Sequence, residues 1–73
     1  MTIERLRAAW KSQPFQPFRI HTADGRSVTV GHPDYLSMSS GGRTIVVNHA
    51  HDEGLEIIDL LLVTNLEVPA GGN

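Results

Sequence analysis

The chain has 73 residues, no cysteine and a formal net charge of −2. This length fits one small domain with a thin core, and the lack of cysteine excludes disulfides and thiolate metal sites. The slight acidic excess argues against a general polyanion binder. The start, MTIERLRAAW, is unlike a signal peptide, and the longest apolar run, Leu60–Val63, is far too short to span a bilayer. We therefore expect a soluble cytoplasmic protein.

Charge is unevenly distributed along the chain. All six basic residues lie in the first 43 positions, whereas positions 44–73 hold five acidic residues and no lysine or arginine. A compact fold that mixes the two halves in space is the simpler interpretation. The alternative is a bipolar surface suited to head-to-tail assembly or to a charged partner.

The first predicted element is a short helix over residues 2–12, which Pro14 ends. Ile3, Leu6 and Trp10 recur at helical spacing and form one apolar stripe. Because a helix of about ten residues is marginal alone, we expect this stripe to dock on the sheet or on another subunit. The same three residues are therefore the candidate interaction surface.

A β-hairpin over residues 18–30 is the most clearly specified stretch. Apolar residues occupy alternate positions of its two strands, and these are Phe18, Ile20, Val28 and Val30. A three-residue turn, Ala23–Gly25, places Ile20 opposite Val28 and brings all four onto one face. Such turns end in a left-handed residue, so we predict a positive φ at Gly25.

The later segments continue the β pattern. Tyr35–Ser39 looks extended, Arg43–Asn48 is a predicted strand, and His49–Gly54 is a polar loop. The alternation over Leu55–Asp59 is consistent with a fourth strand. Two interpretations remain open for the end of the chain. A helix over Leu55–Leu66 would place apolar residues on one side, but the β-branched residues after position 62 favour a tight turn around Leu60–Leu61 and a short last strand.

The order of elements resembles the SH3-like small barrels, including the Sm-like proteins with their N-terminal helix. Phe18–Val30 is similar to the opening Sm-like hairpin, in which an apolar strand, an acidic-glycine turn and a strongly bent second strand follow one another. Pro14–Pro33 also resembles a group of small uncharacterised bacterial proteins with a PFxPF…DG…V.hP pattern. The resemblance implies a mainly β (α+β) fold, in which a helix precedes a five-stranded, strongly bent antiparallel barrel. We expect one domain over residues 1–68 and a flexible tail over 69–73.

Two binding functions of different class fit this fold. The first is a protein-interaction or self-assembly module with an unpaired edge strand and the helix stripe available to a partner. The alternative is an RNA- or DNA-binding Sm-like protein, whose candidate binding residues are Arg19, His21, Arg26 and Arg43. Sm-like proteins carry an aspartate and an asparagine after the second strand, and no matching asparagine follows Val30. We therefore favour self-association or another protein as the partner, and expect no membrane.

The sequence gives little support for a catalytic site or a metal site. His49 and His51 form the cluster with metal-ligand character, but a structural zinc site normally needs four protein ligands. The serines lack a strained nucleophile elbow, and Gly41–Gly42 lacks the lysine of a phosphate loop. We expect no metal, no cofactor and no enzymatic activity.

Overall fold

The computed structural model describes residues 2–49 and 53–69. Within them, one helix is followed by six strands, and the bounds are α1 Ile3–Trp10, β1 Phe18–Thr22, β2 Ser27–Val30, β3 Leu36–Met38, β4 Thr44–Asn48, β5 Leu55–Asp59 and β6 Val63–Glu67. Two short 3-10 turns, Pro33–Tyr35 and Leu60–Leu62, precede β3 and β6. No helix in the described part of the chain is long and apolar enough to cross a membrane.

The strands form two three-stranded antiparallel sheets. The first has the order β2-β1-β6 and the second the order β3-β4-β5. The mainly β class with an N-terminal helix is confirmed, but the described residues form six strands and no single closed barrel, so the predicted count of five is wrong. The additional strand is β3, which the sequence indicated only as an extended segment after the break at Pro33. The turn that begins there separates β2 from β3, which forms its own short pair with β4.

The β1–β2 hairpin has the predicted register. Phe18 lies opposite Val30 and Ile20 opposite Val28, and all four side chains are buried. The Gly25 N–H donates to the Thr22 carbonyl at 3.1 Å, and φ at Gly25 is +86°. The prediction of a bulged turn with a left-handed glycine is confirmed.

One hydrophobic core lies between the sheets and α1. Its fully enclosed side chains are Leu6, Phe18, Ile20, Val30, Ile45 and Val47. The helix is shorter than predicted, because Lys11 already leaves the helical conformation with φ −100° and ψ 8°. Leu6 has no exposed surface, and the Trp10 indole Nε1–H donates to the Pro33 carbonyl at 2.9 Å. The helix therefore packs within its own chain.

The end of the described chain is strand, turn and strand rather than helix. The Leu61 N–H donates to Asp59 Oδ1 at 2.9 Å, and the Leu60 N–H donates to the Arg43 carbonyl at 2.6 Å. Leu60, the first residue of this turn, and Val63, which follows it, are both buried. The predicted tight turn is confirmed, while residues 70–73 of the predicted tail lie outside the described residues.

Candidate protein-interaction surface

An apolar patch lies on the outer face of the second sheet. Side chains alternate along β5, so that Ile58 is buried while Leu55 is 51% and Ile57 is 68% exposed. Ile57 lies directly opposite Val46 of β4, whose half-buried side chain shares this outer face. We call Val46, Leu55 and Ile57 the β5 patch. Contiguous exposed apolar surface is typical of sites where another molecule binds, whereas single exposed apolar side chains are common on any protein.

The backbone of β5 adds to this surface. Within the described residues, β5 pairs with β4 and with no strand on its other side. An edge strand of this kind presents unpaired N–H and C=O groups that can accept a further strand. Natural proteins commonly protect such edges with charged side chains, lysine above all, or with proline; β5 carries Glu56 and Asp59 but neither lysine nor proline.

The helix stripe is turned inward. Leu6 is fully buried, whereas Ile3 and Trp10 are half-buried against the core. Of the two docking modes expected from the sequence, the helix stripe therefore packs on the sheet of its own chain, and Leu6 is not available to a partner. The exposed β5 patch was missed, because the sequence places apolar residues on both faces of this strand: Leu55 and Ile57 on one and Ile58 on the other.

Two residues of the predicted basic patch, Arg19 and His21, are paired with Glu67 from the other end of the chain. Glu67 Oε1 lies 3.7 Å from Arg19 Nη1 and 2.9 Å from His21 Nε2. The β1–β6 register produces this cluster, because Arg19 lies opposite Glu67 and His21 lies two residues away on the same face. The His21 hydrogen bond, followed by the positive charge of Arg19, lowers the pKa of Glu67.

Arg26 is held by two carboxylates. Its Nε lies 3.0 Å from Asp24 Oδ2, and its Nη1 lies 3.3 Å from Glu56 Oε1. A hydrogen bond from Thr22, assisted by Arg26, lowers the pKa of Asp24. Arg43 stands apart from both clusters and is exposed in the loop before β4. Acids of the C-terminal half thus neutralise two of the three candidate arginines, which favours the interpretation that folding mixes the charges.

These ion pairs predict a small pH dependence of stability. Because the pKa of Glu67 is lower in the folded chain than in the unfolded chain, its contribution is present at neutral pH and is lost as the pH falls through the folded pKa. We expect Glu67→Gln to lower the unfolding temperature at pH 7, and the difference from the wild type to shrink as the pH falls through the folded pKa of Glu67 and its carboxylate is protonated. Calorimetry across this range measures the difference, with Glu53→Gln as the exposed-acid control. A pH-independent difference would contradict the assignment.

The predicted histidine cluster is only partly described. His49 Nε2 lies 3.2 Å from Glu56 Oε2, next to the Arg26 contact, and His51 lies outside the described residues. Among residues 2–49 and 53–69, no three His, Cys, Asp or Glu side chains are grouped closely enough to hold a metal ion. No protein-family model, curated protein or solved structure matches the chain. Its function is therefore inferred from its own geometry.

Proposed function

We propose that the chain is a non-enzymatic protein-interaction module that self-associates through the β5 patch. One observation carries the proposal: Leu55 and Ile57 are 51% and 68% exposed on an edge strand that contains no lysine or proline. Complete burial of one such side chain is worth about 1.5–3 kcal/mol. A partner that covers the exposed part of both therefore gains on the order of 2–4 kcal/mol from these two contacts.

The open backbone edge supports the same function. An extended segment added beside β5 would satisfy its unpaired N–H and C=O groups and would cover the patch at the same time. Small domains with thin cores commonly gain stability by self-association. A second copy of the chain is always present at the concentration of the first, which makes it the simplest partner.

The charge arrangement supports protein binding over the alternative, nucleic-acid binding. A phosphate backbone is held by clustered, available Lys and Arg side chains. Here Arg19 and Arg26 each contact a carboxylate, and the whole chain is acidic. Of the arginines proposed for nucleic-acid binding, only Arg43 is outside the ion pairs of the described residues.

We also propose that the chain is related to the SH3-like and Sm-like small barrels and to the bacterial group with the PFxPF pattern. Two features support this relationship: the N-terminal helix and the bulged opening hairpin. An experimental structure of a bacterial protein that carries the PFxPF…DG pattern tests it. The relationship predicts the same element order there.

The β5 patch is tested by placing a charge at its centre. We expect the wild-type protein to be oligomeric and Ile57→Lys to be monomeric, because a lysine on the edge strand must lose its hydration to enter the interface. Leu61→Lys is the matched control, since Leu61 is 69% and Ile57 68% exposed but Leu61 lies outside the strand. Sedimentation velocity measures both. Equal behaviour of the two variants would show that the patch is not the docking surface.

A further inference from the structure

A groove of about 500 Å³ runs between α1 and β6. Its helix side is formed by Arg5, Ala8 and Ala9, and its strand side includes Leu66 and Val68. β6 is an edge strand of the first sheet and pairs with β1 alone among the described strands. The groove therefore borders an open backbone edge, as β5 does on the other sheet.

The groove is mostly apolar, with the polar side chains of Thr64 and Asn65 on its strand side and one positive group, Arg5. Alanine side chains let another backbone approach the helix closely, and the facing side includes the apolar Leu66 of β6 and Val68, just after the strand. Arg5 takes part in none of the ion pairs of the described residues. A complementary occupant is an extended segment with apolar side chains on one face and a carboxylate at the position of Arg5.

The chain itself contains such a segment. On one face of β5, Leu55 and Ile57 are followed by Asp59, and all three are exposed. Residues two positions apart in a strand are separated by about 6.6–6.8 Å. Arg5 and Ala8 are separated by about 4.5 Å along the helix axis, and the long arginine side chain covers the difference. The apolar pair can therefore lie against the alanines while Asp59 reaches Arg5.

We propose that β5 of one copy pairs with β6 of a second copy and places Leu55 and Ile57 in the α1–β6 groove. This inference rests on the proposed self-association and names the surface that receives the β5 patch. A symmetric β5–β5 contact is less favourable, because each strand carries Glu56 and Asp59 and no basic residue. The contact is head-to-tail: each copy inserts its β5 patch into the groove of one neighbour, and its own groove binds the β5 patch of another.

Two variants block the two surfaces separately. Ile57→Lys alters the β5 patch and leaves the groove intact, whereas Ala8→Glu fills the groove with an acid and leaves the patch intact. Both positions are exposed in the single chain, and glutamate is a good helix former. We expect each variant alone to be monomeric by native mass spectrometry. An equal mixture is expected to give one-to-one heterodimers and nothing larger, because each pair retains one competent patch and one competent groove.

Other outcomes overturn the inference in distinguishable ways. If Ala8→Glu alone assembles like the wild type while Ile57→Lys does not, the patch is the docking surface but the groove is not its receiver. If the mixture gives no heterodimer, the contact is not head-to-tail. If the wild type is itself monomeric, both the inference and the proposed function fail. Arg5→Glu is a second groove variant with the same expected result, and a cooperative thermal unfolding transition verifies that each variant is folded.

Discussion

Leu6→Ala is expected to lower the free energy of unfolding by about 2–5 kcal/mol, the cost of deleting a buried leucine side chain. Leu6 is 0% exposed and is the helix residue that lies fully inside the core. Small domains have only about 5–15 kcal/mol of total stability, so this one change removes a large share of it. Urea denaturation followed by tryptophan fluorescence measures the loss, because Trp10 reports on the docking of the helix.

Arg7→Ala provides the control for this experiment. Arg7 is the next residue of the same helix but is exposed, and surface substitutions usually change stability by less than about 0.5 kcal/mol. If Leu6→Ala cost no more than Arg7→Ala, the stripe would not be part of the intramolecular core. It would then be free to dock on another subunit, which the sequence alone also allowed.

Gly25→Val is expected to cost about 1–3 kcal/mol, the price of forcing a β-branched residue into the left-handed region. The cost comes from the backbone alone, because a Cβ built at Gly25 meets no atom within 4 Å and φ there is +86°. Gly31→Val is the matched control, since Gly31 has the same open space without a positive φ. Thermal or urea unfolding of the two variants compares them directly. Equal stability would contradict the turn geometry.

The hairpin could be predicted because its determinants are local. Period-two alternation showed which residues share a face, and only the three-residue turn Ala23–Gly25 brings the apolar faces of both strands to the same side. The turn over Leu60–Leu62 was predictable for a similar reason, since β-branched residues follow it directly. In each case the deciding residues lie within a few positions of the structure that they determine.

The sheet order and the ion pairs could not be derived in this way. The strand that completes the first sheet, β6, pairs with β1 from the opposite end of the chain. Sequence periodicity shows which residues share a face of a strand, but not which strand lies beside it. The contact of Glu67 with Arg19 and His21 follows from that long-range register. The same limit applies to Leu55 and Ile57, because the β4–β5 pairing decides which face of β5 is buried.

The most direct test of self-association is the native mass of the untagged wild-type protein, purified without nuclease treatment or salt washes. We predict a homo-oligomer whose mass is a whole multiple of the chain mass with nothing added. A bare monomer across the concentration range would contradict self-association. Extra mass that disappears on RNase or DNase treatment would instead identify nucleic acid as the partner.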